Sequence, residues 1–188
     1  MSKVVMFLAD GLEECEALIT VDILRRGGVE VVTASIKDEV TIHSSHGITF
    51  EADSLAKYLS YVDFDMVILP GGHQGTMNLK ASPLVEKVLI DYAADETKKV
   101  AAICAAPSIL GDLHLLEGQR ATCFPGFEQH LLGAEYTGAP VNVEGRFITG
   151  KGMGCTIPFA LTLLAQLEGA EKAEDIRQRI QYPYPVKF

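Results

Sequence analysis

Basic residues are the scarce charge in this sequence: 16 lysines and arginines stand against 25 aspartates and glutamates, a formal net charge of −9 over 188 residues. A chain so balanced lacks the electrostatic footprint for a nucleic-acid backbone or an anionic membrane surface, so neither is expected as a partner. Long apolar runs are missing too. The run at the N-terminus, Val4 to Ala9, meets Asp10 at once; it is too short for a signal peptide, and no segment approaches the ~20 apolar residues of a membrane span. Linkers, internal repeats and low-complexity tracts are also absent, so the expectation is one cytoplasmic domain over residues 1–188, enough chain for one well-formed core. Cysteine is sparse and scattered. Cys15, Cys104, Cys123 and Cys155 form no CxxC pair and no Cys/His cluster at zinc spacing, which argues against a structural metal or a disulfide framework.

What is present is an alternation of short apolar runs with helical periodicity. Lys3 to Ala9 predicts a buried parallel strand ended by Asp10-Gly11, and Glu13 to Arg26 predicts a helix, acidic in its first turn and basic in its last. Val29 to Ile36 predicts a second strand. A hairpin is expected over Ile42 to Phe50, a small helix from Ser54, a strand over Asp65 to Leu69, and a helix over Pro83 to Ala94 with proline in its first turn. Further strands are expected at Val100 to Ile103, Ala121 to Cys123 and Val141 to Ile148. Further helices are expected at Ala106 to Leu116, Cys155 to Leu167 and Ala173 to Ile180. Such alternation predicts a mainly parallel sheet with helices on both faces.

In parallel α/β sheets, ligands bind beyond the carboxyl ends of the strands. Three loops leave that edge: Asp10 to Glu16, Pro70 to Gly75 and Cys104 to Pro107. Cys104 stands where a buried strand turns abruptly into a helix among small residues, the setting of a nucleophile elbow. A helix N-terminus there is expected to lower the thiol pKa. Gly71 and Gly72 permit close backbone approach and, with the amide of Ala105, predict donors for an oxyanion or a cysteine sulfinate. One carboxyl of Glu13, Glu14 and Glu16 would stand near the thiol as a protonated donor or general acid/base, and the other charges suit the helix dipole.

Taken together, Leu8 to Glu16, Val21 to Gly28, Val67 to Gly72, Ala101 to Pro107 and Gly150 to Thr156 resemble the ThiJ/PfpI superfamily. Within it they are most similar to the branch of the Parkinson-associated protein DJ-one. The resemblance spans almost the whole chain. It implies a flavodoxin-like three-layer α/β/α sandwich, a homodimer and no cofactor or metal. It also implies Cys104 as reactive nucleophile, Glu16 as the protonated glutamate that hydrogen-bonds it, and backbone amides from Gly72 and Ala105. The substrate it implies is a small reactive carbonyl or a glycated protein, handled by glutathione-independent glyoxalase or deglycase chemistry. Redox sensing at Cys104, chaperone action and a thiazole-biosynthesis label also occur in the family.

Departures from the family pattern narrow this. Protease-like and amidase-like members carry a histidine directly after the cysteine, where this chain has Ala105. The DJ-one branch offers a histidine before a proline in the following segment, where this chain has Phe124 before Pro125. The basic residue that a dimer partner lends to the site is represented by His46, and His73, directly after Gly72, is a second histidine expected near the pocket. Loss of the histidine at Phe124 predicts a slow carbonyl catalyst.

Overall fold

The computed structural model describes residues 1–188. Its elements run β1 (Lys3–Leu8), α1 (Glu14–Arg26), β2 (Glu30–Ser35), β3 (Thr41–His43), β4 (Thr49–Glu51), β5 (Ser54–Leu55), β6 (Met66–Leu69), α2 (His73–Lys80) and α3 (Pro83–Ala94). They continue with β7 (Lys99–Ile103), α4 (Pro107–Asp112), β8 (Arg120–Ala121), β9 (Glu135–Tyr136), β10 (Val141–Glu144), β11 (Phe147–Gly150), α5 (Thr156–Glu168) and α6 (Ala170–Arg179). Seven strands form one sheet in the order β10-β11-β7-β6-β1-β2-β5, parallel except where β10 returns antiparallel beside β11.

The apolar runs become strands because both faces of this sheet are covered. Along β1, Val4, Met6 and Leu8 enter a cluster with Val21 and Leu24 of α1, Phe159 and Leu163 of α5 and Ile176 of α6. The intervening Val5 and Phe7 enter a second cluster with Leu79 of α2, Val88 and Leu89 of α3 and Ile109 of α4. Successive side chains of a strand point to opposite faces, so this partition defines three layers. Each fully buried Phe or Leu contributes about 1.5–3 kcal/mol by leaving water. No helix is long and apolar enough to cross a membrane.

Several expected elements take another form. Ser54 opens a two-residue edge strand, followed by a single tight helical turn at Ala56–Tyr58. Pro70 to Gly75 is not loop throughout: α2 begins at His73, with Gly75, Thr76 and Leu79 buried. α4 is six residues long and ends before His114, whose φ is +58°. A Cβ at Gly111 would run into the backbone of His130 and Leu131, so the next segment presses directly on this helix. Ala121 pairs with Tyr136 in a two-stranded ribbon outside the main sheet.

Candidate functional site

The carboxyl ends of β1, β6 and β7 are neighbours in the sheet, so the turns that leave them meet. β7 ends at Ile103, and Cys104 follows with φ at +66°. An L-residue in the left-handed region costs on the order of 1–3 kcal/mol and persists only where its surroundings enforce it. Here they do. The Cys104 N–H donates to the Gly150 carbonyl at 2.9 Å, and its own carbonyl accepts from the Phe124 N–H at 2.7 Å. The elbow is clamped on both sides of the thiol by the segment after β8 and by the end of β11.

Two glycines from the turn after β6 complete the enclosure. A Cβ on Gly71 would lie 2.5 Å from Cys104 Cβ and 2.5 Å from Glu16 Oε2. One on Gly72, at φ +87°, would lie 2.4 Å from the Gly11 carbonyl oxygen and 2.5 Å from the Glu13 nitrogen. Only glycine lets this turn pass between the first loop and the cysteine. Gly71 belongs to the site as much as Gly72 does. The Pro-Gly-Gly sequence signals the turn but does not say that the first glycine touches both side chains.

Glu16 lies on the inner face of α1 and is wholly buried. Its Oε2 accepts from the Gly71 N–H at 2.9 Å. Oε1 has no hydrogen-bond partner, and the carboxyl group as a whole interacts with the Cys104 thiol. Burial pushes the Glu16 carboxyl up to about 7; the hydrogen bond with Cys104 opposes that, Glu13's charge adds to it, and the Gly71 N–H opposes it. The thiol is displaced upward as well, to about 12, by burial first and then by the charge of an ionised Glu16, while the Gly72 and Ala105 amides pull it down. The expectation of a lowered thiol pKa is therefore corrected. The two amides do reach the sulfur, but a half-buried thiol against a carboxylate gains more from staying protonated than a six-residue helix can offset. Carboxyl and thiol titrate as one pair competing for a proton.

The other residues anticipated at the site are dispersed. Glu13 caps α1, its Oε2 accepting from the Glu16 N–H at 2.6 Å. His46 is exposed on the β3–β4 hairpin, 3.1 Å from Glu14 of its own chain. His73 is exposed at the start of α2, its ring 5.9 Å from that of Phe127. Phe124 touches the site through its backbone and is 47% exposed, with its ring against Gly152. Glu13, Glu14 and His46 bring their donor atoms within 4.8 Å of one another. Glu13 is committed to the cap and Glu14 to His46 and Ser45, so we assign this cluster to fastening the hairpin onto α1. Cys15 is a poor thiolate, raised by burial and by the negative charges of Glu13 and Glu14.

None of the five principal hollows of the surface touches Cys104. One of about 450 Å³ lies between α5 and the C-terminal tail, and one of about 340 Å³ is lined by Tyr61 and Tyr92.

Comparison with known proteins matches this arrangement to a defined group. A DJ-1 superfamily protein of Salmonella typhimurium, solved as a cysteine-to-alanine mutant, superposes with a TM-score of 0.93 at 38% identity, covering 98% of this chain and all (100%) of the other. Oxidised DJ-1 of Toxoplasma gondii does so at 0.93 with 32% identity, covering 98% and 100%. Protein DJ-1 homolog B of Arabidopsis thaliana is 39% identical over 176 residues, 93% of this chain but 40% of the plant protein. This chain thus spans well under half of that relative's length. The Parkinson disease protein 7 homolog of Danio rerio is 35% identical over 181 residues, with 93% and 94% covered. A glutathione-independent glyoxalase of Caenorhabditis elegans is 30% identical over 177 residues, with 93% of each covered. With residues 2–166 matching the family pattern, and the same three-layer fold in solved relatives, the chain belongs to the DJ-1/PfpI family.

Proposed function

We propose that the protein is a cysteine-dependent enzyme acting on small reactive dicarbonyls, by glutathione-independent glyoxalase or deglycase chemistry. The observation that carries this is the pairing at the elbow: a wholly buried carboxyl near neutrality, interacting with the thiol of a cysteine held at positive φ. The name of the C. elegans relative supports the reaction class. With methylglyoxal, the thiolate of Cys104 adds to the aldehyde carbon beside protonated Glu16, and the new alkoxide takes that proton. The amides of Gly72 and Ala105 hold the developing oxyanion. Glu16, now a carboxylate, removes the hydrogen from the same carbon as a proton, giving an enediolate. The hydroxyl proton passes to the neighbouring oxygen and Glu16 returns its own to the adjacent carbon, giving a lactate thioester. Water then hydrolyses the thioester, freeing lactate and the thiol, so no oxidant or reductant is consumed. Phe124 offers no base where the branch has histidine, so turnover is slow.

The test is lactate release from methylglyoxal without glutathione. Wild type produces lactate above background and Cys104→Ser does not. Turnover that survives in Cys104→Ser rules the mechanism out.

One observation favours a second reading. Two amides and a protonatable carboxyl directed at one sulfur also suit a sulfinate, so a redox-sensing role shares the site. Mild peroxide would then add two oxygens selectively at Cys104, seen by mass spectrometry. Absence of lactate from reduced protein, together with this selective gain, would favour the sensor. A chaperone role has no feature of the site behind it.

A further inference from the structure

The geometry points to Glu13 as a positioning residue for the thiol–carboxyl pair, acting through a closed ring of hydrogen bonds between two loops and through its own charge. The inference deepens the reading of Cys104 and Glu16 as the reactive pair and rests on it.

The ring has three members. Glu13 N–H donates to the Gly71 carbonyl at 3.0 Å. Gly71 N–H donates to Glu16 Oε2 at 2.9 Å. Glu16 N–H donates to Glu13 Oε2 at 2.6 Å. Glu13 therefore holds the turn after β6 by its backbone and the start of α1 by its side chain, while Gly71 closes the circuit on the Glu16 carboxyl. The next residue of that turn, Gly72, carries the amide that reaches the Cys104 sulfur. One residue, through its backbone on one side and its carboxylate on the other, thus ties together both groups that face the thiol.

The residue type is itself informative. Caps are ordinarily Ser, Thr, Asp or Asn, whose short side chains reach back to the helix amides. A glutamate here breaks the local preference, and such breaks gather at functional sites. What glutamate adds over serine is a negative charge beside a buried carboxyl.

The titratable groups facing Glu16 are Cys104 from the elbow and Glu13 and Cys15 from its own turn, with Cys15 raised and so kept neutral. Glu14, the next charge on α1, faces the hairpin and His46 instead. A negative Glu13 disfavours ionised Glu16, and because it acts on Glu16 more directly than on the sulfur it tips their shared proton toward the carboxyl. The fraction of thiolate at neutral pH is thereby raised.

The experiment is the rate of Cys104 alkylation by iodoacetamide between pH 5 and 9, read by peptide mass on the full chain. Wild type is compared with Glu13→Gln, Glu13→Ser and Glu13→Asp, with the three other cysteines as internal references. Gln keeps an acceptor for the Glu16 N–H without the charge, and Ser is a preferred cap without it. Both are expected to alkylate about three- to tenfold more slowly at neutral pH, the consequence of moving the shared proton by half to one pH unit. Asp, which keeps cap and charge, restores the rate to within about twofold, a result that a purely structural role would not produce. Profiles of Gln and Ser superimposable on wild type would overturn the inference, and so would Asp as slow as Gln. A wild-type Cys104 no more reactive than Cys15, Cys123 and Cys155 would overturn the reading of the site itself, and this inference with it.

Discussion

At the scale of single residues, the site depends on side chains whose environments conflict with their ordinary chemistry. Glu16 is wholly buried, and burial leads the causes that lift it from an ordinary 4.5 to about 7. The sign follows from linkage. A carboxyl whose folded pKa is raised contributes stability that is complete below about 4.5 and is lost as pH rises through about 7. The loss is on the order of 3 kcal/mol across that window. Glu16→Gln cannot ionise, so its urea-unfolding free energy should stay flatter than that of wild type between those limits. Equal slopes for the two proteins would contradict the raised carboxyl. Gly72 gives a sharper test of packing. Gly72→Ala places a Cβ 2.4 Å from the Gly11 carbonyl oxygen at a φ of +87°. Steric overlap and backbone strain together predict a loss of about 3 kcal/mol or more in the same unfolding assay. An unchanged midpoint would mean that the two loops are not pressed together as described.

At the scale of elements, the parts legible in the sequence were those whose stability is local or whose burial is two-sided. α3 occupies Pro83–Ala94, as expected, because Ser82 caps it, its side chain accepting from the Val85 N–H, and proline stands in its first turn. β1 was legible because a strand buried on both faces has no polar side to interrupt it. α2 was not. Its sequence is weakly apolar, and what fixes it is tertiary: Gly75 lies against the Leu12 backbone, and its N–H donates to the Gly11 carbonyl. The site divides in the same way. The abrupt turn at Cys104 could be read from a buried strand running into small residues. Which of three glutamates meets it depends on the rotation of α1, and periodicity alone did not single out Glu16. The thiol's burial was invisible, since it arises from β6 and α1, distant in sequence. α5 tests the helical layer these elements share. Phe159 is fully buried beside α1 and the sheet, so Phe159→Ala should cost about 3–5 kcal/mol in unfolding free energy. Cys104 alkylation at pH 7 should survive where the variant stays folded, because no atom of Phe159 is among the hydrogen-bonding partners of the pair.

At the scale of the whole molecule, the question is what covers the face beside the site. Leu18 is 41% exposed and lies one turn beyond Glu14 on the same stripe of α1, while Ile48 is 47% exposed two residues past His46 on the hairpin. The Glu14–His46 contact ties these two elements together, so an acidic chain presents apolar side chains on one side of its first helix. We propose that a second copy of the chain covers this face, in the two-fold arrangement that soluble homo-oligomers favour. Sedimentation of the full chain should give twice the monomer mass, and Leu18→Glu should give the monomer. Replacing an exposed leucine leaves the core of each chain untouched, so the variant should stay folded and lose in unfolding free energy only what the contact between copies supplied. Glu16, Gly72 and Ala105, which set the proton affinity of the sulfur, lie in the same chain as Cys104, so its alkylation should persist in the monomer. Turnover of methylglyoxal would fall only if the partner helps to enclose the thiol. A Leu18→Glu protein that remains dimeric would place the interface elsewhere, and a wild type that is monomeric at every concentration would remove the partner from the site altogether.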